Sequence, residues 1–114
     1  MNTNPVFSLP SKNAKTEPYR RMKLTATGVD YCAAEDASIG SSLPGDLNVE
    51  QATLQSKSVG IHNAETSAAT AIAVGDEIQG AANGMITKHA GGTAIGVAAE
   101  TSSAAGNIIG VVYY

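Results

Sequence analysis

Few side chains in this sequence stand at the spacings that chemistry requires. The single cysteine, Cys32, cannot form an internal disulfide, so the fold does not depend on an oxidising compartment. With no suggestive partner nearby, it reads as a small residue in a strand. His62 and His89 each lack a close Cys or acid at metal spacing, which argues against a zinc site or a catalytic imidazole. Glu35–Asp36 and Asp76–Glu77 are adjacent acid pairs that could suggest paired-carboxylate chemistry. Neighbours on a strand point to opposite faces, so neither pair makes a dyad by itself, and both read as turn and surface residues. The glycine-rich stretches contain neither a GxxxxGK[ST] loop nor a GxGxxG that opens a helix, and no serine lies in a GxSxG elbow. No catalytic, cofactor-binding or metal-binding residue is assigned, and an enzyme has no constellation to carry its reaction.

The elements that would position any site read as β. Residues 22–27 alternate, with Met22 and Leu24 on one face. Asn83-Gly84 between short candidate strands at 76–79 and 85–88 predicts a type I′ hairpin turn. Gly91-Gly92 predicts a second tight reversal before a strand over 93–98, and 105–107 a third before 108–113. The closing IIGVVYY is rich in β-branched and aromatic residues. In the middle, residues 41–45 read as a loop, 53–61 as a strand and 63–70 as a polar connector. A helix near 49–55 has poor apolar spacing. Such turn spacing predicts a small β-barrel or β-sandwich of short antiparallel strands. Gly28–Gly40 aligns without gaps to Gly84–Gly96, matching Gly28/Gly84, Ala34/Ala90, Ile39/Ile95 and Gly40/Gly96. This repeat suits a pseudo-symmetric barrel.

Length and composition bound the rest. A chain of 114 residues has room for one domain. Its net charge of −3 excludes a general basic nucleic-acid binder, and its 15% charged residues argue against a highly charged disordered chain. Leu, Ile, Val and Phe number 22 against 31 Ala and Gly, so apolar burial per residue is small and help from a partner is expected. No stretch approaches a membrane span, and the N-terminus lacks the apolar region of a signal peptide.

Charge divides unevenly. Residues 1–23 hold five bases and one acid, a net +4, whereas residues 24–114 carry a net −7. Pro5, Pro10 and Pro18 favour extended backbone over helix in residues 1–21, which read as a basic arm preceding a single β domain over 22–114. The arm is expected to order on a partner. Val6, Phe7 and Leu9 would serve as apolar anchors, and Lys12, Lys15, Arg20 and Arg21 as its charged contacts.

The C-terminal forty residues carry a resemblance. Val-Gly-Asp at 74–76, a short strand after Gly84, Gly-Thr-Ala-Ile-Gly-Val-Ala at 92–98, an Ala-rich turn and a β-branched last strand resemble the small β-barrel decoration proteins of tailed-phage heads. The matching positions are Ile95, Gly96, Val97, Ala98, Ala104, Ala105, Gly106, Ile108 and Val111. The resemblance implies a non-enzymatic cement protein on the outer surface of the virion head, made in the host cytoplasm. It would bind the major capsid protein and sit as a homotrimer at three-fold positions, without a cofactor or a membrane. Val111, Val112, Tyr113 and Tyr114 are then the candidate subunit contacts. Two other readings stand beside it: a head-fibre or receptor-contact virion protein, and a module that grips nucleic acid with the basic arm. Residues 73–80 are also similar to the hairpins of biotinyl and lipoyl carrier domains, but Lys88 lies in a strand rather than at the tip those domains need.

Overall fold

The computed structural model describes residues 6–12, 16–44, 51–57, 59–68 and 70–114. Alternation with period two organises it. In Gln51–Ser56 the side chains of Ala52 and Leu54 are buried while their neighbours are half-exposed, and in Ile108–Tyr113 the side chains of Ile109, Val111 and Tyr113 are buried while Ile108 and Val112 are exposed. The ten strands are β1 Val6–Pro10, β2 Arg21–Thr25, β3 Gly28–Tyr31, β4 Gly40–Ser42, β5 Gln51–Ser56, β6 His62–Glu65, β7 Glu77–Gly80, β8 Ile86–Lys88, β9 Ala94–Ala98 and β10 Ile108–Tyr113. The fold is mainly β, with no α-helix among the described residues.

Two antiparallel sheets result, ordered β1-β5-β4-β2-β3 and β6-β10-β9-β7-β8. Adding five to each label of the first order gives the second, so the chain is a tandem duplication in space. The registers agree as well. Arg21 and Met22 pair with Ser41 and Gly40, and Glu77 and Ile78 pair with Val97 and Gly96, 56 positions later. Gly40, Ser41 and Ser42 face Ser56, Gln55 and Leu54 as Gly96, Val97 and Ala98 face Tyr113, Val112 and Val111. Close backbone approach fixes one matched pair: a Cβ on Gly40 would lie 2.3 Å from Gln55 O, and one on Gly96 would lie 2.3 Å from Val112 O. The Gly28–Gly40 repeat is therefore the sequence trace of a duplicated sheet.

Each sheet curls until its ends meet. Ser11 bridges Val29 in parallel, and Thr66 bridges Ile86 in the same way, closing two small barrels. Each barrel has its own core. Met22, Val29, Ala52 and Leu54 fill the first, with Phe7, Leu9, Tyr31 and Ile39 against them. Ile72, Ile78, Ile86, Ile109, Val111 and Tyr113 dominate the second.

Several sequence expectations change. The arm is not free of the body: β1 pairs with β5 from Val6↔Gln55 to Pro10↔Gln51, and Phe7 and Leu9 pack on the first core. Alternating Phe7 and Leu9 supply an inward face, and an edge strand tolerates Pro10 at its end. Residues 41–42 are strand rather than loop, because their hydroxyls find partners on burial: Ser42 Oγ donates to Glu17 O at 2.7 Å. The strand expected over 53–61 is instead 51–56, which also replaces the helical alternative over its described part. The polar run at 63–70 contains most of β6, whose Ala64 points inward. Asn83 and Gly84 both have positive φ, 57° and 73°, and Met85 N–H donates to Ala82 O, giving the expected type I′ geometry. Gly91-Gly92 is not a hairpin, because β8 and β9 lie on opposite sides of β7. There Gln79 Oε1 accepts the N–H groups of Ala90, Gly91 and Gly92.

Candidate interaction site

The two barrels meet along a polar seam built from one cross-strand row of the first barrel, Arg21–Ser41–Gln55. Arg21 is 1% exposed. Its guanidinium donates to four backbone carbonyls: Met85 at 3.3 Å, Asp36 at 3.4 Å, Ala33 at 3.3 Å and Ala81 at 3.1 Å. Two of these come from each barrel, so one side chain ties both together. Asp36 meets Arg21 through its carbonyl, while its carboxylate is held by Lys23 at 2.6 Å. Gly80 makes room, since a Cβ there would lie 2.6 Å from Arg21 Nη2.

Next along the row, Ser41 Oγ lies 2.8 Å from His62 Nδ1, and His62 Nε2 lies 3.2 Å from Lys57 O. A carbonyl only accepts, so Nε2 carries the proton and Nδ1 accepts from the serine hydroxyl. His62 is fully buried, and burial pushes its pKa down, keeping it neutral. Tyr113 meets the imidazole edge-on with centroids 5.0 Å apart. The Tyr113 hydroxyl is buried without a hydrogen-bond partner among the described residues, and burial pushes its pKa up to about 12. Gln55 Nε2 donates to Val59 O and Ile61 O, gripping the link into β6. At the seam's border, Arg20 pairs with Glu65 at 3.1 Å and donates to Asn83 O.

Cys32 is buried, and burial raises its thiol pKa, opposing the thiolate a nucleophile needs. Asp36 and Asp76 accept the N–H groups of Ala33 and Ala73, which makes both acid pairs part of tight turns. His89 Nε2 bonds Gly92 O at an exposed turn. Lys88 ends β8 and pairs with Asp76 at 3.6 Å, away from a hairpin tip. No three His, Cys, Asp or Glu side chains gather at metal-binding distance among the described residues. A cleft of about 260 Å³ opens between residues 34–37 and 93–95, with Lys57 and Tyr114 on its walls.

The residues proposed as an arm are thus dispersed. Val6 is exposed, Phe7 and Leu9 face the first core, Lys12 pairs with Asp30 at 3.7 Å, and Arg20 and Arg21 belong to the seam. Lys15 lies outside the described residues. In the C-terminal strand Val111 and Tyr113 are core, whereas Val112 and Tyr114 are exposed. Sequence reading missed the Arg21–Ser41–Gln55 row and His62. The acceptors of Arg21 are backbone carbonyls, which left no signal in the sequence. No protein-family model matches the chain, and no curated protein matches it.

Proposed function

We propose that this is a non-enzymatic decoration protein that binds the outer surface of an icosahedral phage head and braces neighbouring major capsid subunits. Three copies would gather at a local three-fold of the shell. The observation that carries the reading is a coincidence of sequence and structure. The run that resembles decoration proteins, residues 73–114, covers strands β7–β10 of the second barrel, and its last strand keeps Val112 and Tyr114 turned outward. Small separate cores suit a protein whose folded form is stabilised by what it binds. The cations at Lys12, Arg20 and Lys23 are matched by internal carboxylates, which favours this reading over a nucleic-acid grip by the N-terminal segment. The receptor-contact alternative shares the same compact body.

Co-sedimentation with emptied heads of a phage that encodes this chain tests the proposal. Saturable binding and heads that resist heat better when coated are expected. Heads that leave the protein in the supernatant at every concentration would overturn it, and retention on host cells instead would favour the receptor reading.

A further inference from the structure

The duplication supplies an internal control for surface function. In the first barrel the row Arg21–Ser41–Gln55 is engaged in the seam. Its counterpart in the second barrel is Glu77–Val97–Val112, joined by the same register. That row is open: Glu77 is exposed, and Val112 is 41% exposed. The contact between barrels is therefore head-to-tail, and one copy of the gripping face is left over.

The chemistry of the two faces differs. Around the open row stand Ile108 on the same face of β10, Tyr114 at its end, and Ile61, whose side chain lies over Gly110. On β5 of the first barrel the corresponding outward positions are Gln51, Thr53 and Gln55. Equivalent backbones thus present amides and a hydroxyl in one barrel and branched aliphatics in the other. Core packing does not account for outward aliphatics, because these side chains point away from the core.

Acids surround the apolar centre. Glu77 takes the hydrogen bond of the Tyr114 hydroxyl and Glu100 holds Gly110 N–H, while Glu65, opposite Ile108, is paired with Arg20 of the seam. No Lys or Arg occurs in β6, β7, β9 or β10. Lys88, the sole Lys or Arg between residues 58 and 114, is paired with Asp76. A second copy packed face to face would bring one acid-flanked rim against another, so charge selects a different occupant.

We propose that the outer face of β6, β9 and β10, centred on Val97 and Val112, is a docking surface for a protein surface that is apolar at its centre and carries Lys or Arg at its rim. It rests on the head-decoration reading only for the source of that partner, the major capsid protein.

Two assays on the full chain separate the ideas. In the first, backbone amide NMR shifts follow titration with an alternating Lys–Val peptide and, separately, a Glu–Val peptide. Shifts centred on Val97, Val112 and Tyr114, with the Lys–Val peptide alone, are expected. Ile61→Ser with Val112→Asn, and Glu77→Lys alone, should each weaken that response about tenfold, a typical loss at an interface centre. Leu24→Ser, at an equally exposed aliphatic of the first barrel, should not. Shifts scattered over both barrels, an equal response to the Glu–Val peptide, or an equal effect of Leu24→Ser would overturn the proposal. So would self-association of the wild type that Val112→Asn abolishes, which would make a second copy the occupant. In the second assay the same variants are sedimented with emptied heads. Equal binding of wild type and the Ile61→Ser/Val112→Asn variant leaves head decoration standing and removes this face. A wild type that ignores heads yet keeps the peptide response does the reverse.

Discussion

Replacing Arg21 with alanine removes a side chain that donates to carbonyls of both barrels. Four hydrogen bonds of 3.1–3.4 Å disappear, and four carbonyls in a buried seam lose a charged donor. A hydrogen bond to a charged group contributes about 1.5–3 kcal/mol, and these long ones belong at the lower end. Water entering the space left by the side chain recovers part of the loss. Four such bonds at the lower end, less what water recovers, set about 3–5 kcal/mol as the expectation for Arg21→Ala. Against roughly 6–17 kcal/mol for a chain of this length, the variant stays folded at room temperature with much of its margin gone. Urea unfolding followed by far-UV circular dichroism and tyrosine fluorescence measures it, since the chain has four Tyr and no Trp. With a slope near 2 kcal/mol per molar, the midpoint should fall by about 2 M. Arg21→Lys keeps the charge but cannot fork toward carbonyls on opposite sides, so it should recover less than half. If the seam couples the barrels, the variant's transition should also broaden or split, because each barrel has its own core. A loss below about 1 kcal/mol for Arg21→Ala, the size of an ordinary surface change, would refute the reasoning.

His62 should make stability fall with acid: its folded pKa is depressed by burial, so the unfolded chain binds the extra proton. The contribution is full above about pH 6.5 and declines below it, and melting from about pH 7.5 to 5.5 should show a slope that His62→Asn flattens. Gly40→Ala and Gly96→Ala should each cost about 1–3 kcal/mol by thermal melting, because the new methyl meets a carbonyl oxygen of the neighbouring strand. Gly91→Ala, with nothing within 4 Å of its Cβ position, should stay within about 0.5 kcal/mol. Phe7→Ala should lower stability by about 2 kcal/mol, less than a fully buried ring, and deleting residues 2–16 should unfold the first barrel by stripping β1 from β5. Unchanged melting of that truncated protein would restore the free arm.

The β class was legible because runs such as Ile108–Tyr113 alternate and carry β-branched residues, and because Asn83-Gly84 has few other uses. The Gly28–Gly40 repeat was visible since its glycines answer to backbone approach, a constraint that side-chain drift does not erase. The arm misled because local composition cannot show that Phe7 and Leu9 have a core waiting at β5, more than forty residues away. The seam was hidden for a related reason. Ser41, Ser42 and His62 look like solvated loop residues until their hydrogen-bond partners from distant strands are known. Arg21 resembled one more charge of a basic tail, although its four acceptors are backbone carbonyls, which leave no pattern in a sequence.

A cryo-EM map of the head of a phage that encodes this chain tests the central claim most directly. The account predicts density for both barrels on the outside of the shell at local three-folds, with Val97, Val112 and Tyr114 against a basic-rimmed surface of the major capsid protein. Density for this chain inside the shell, or away from the head altogether, would contradict it.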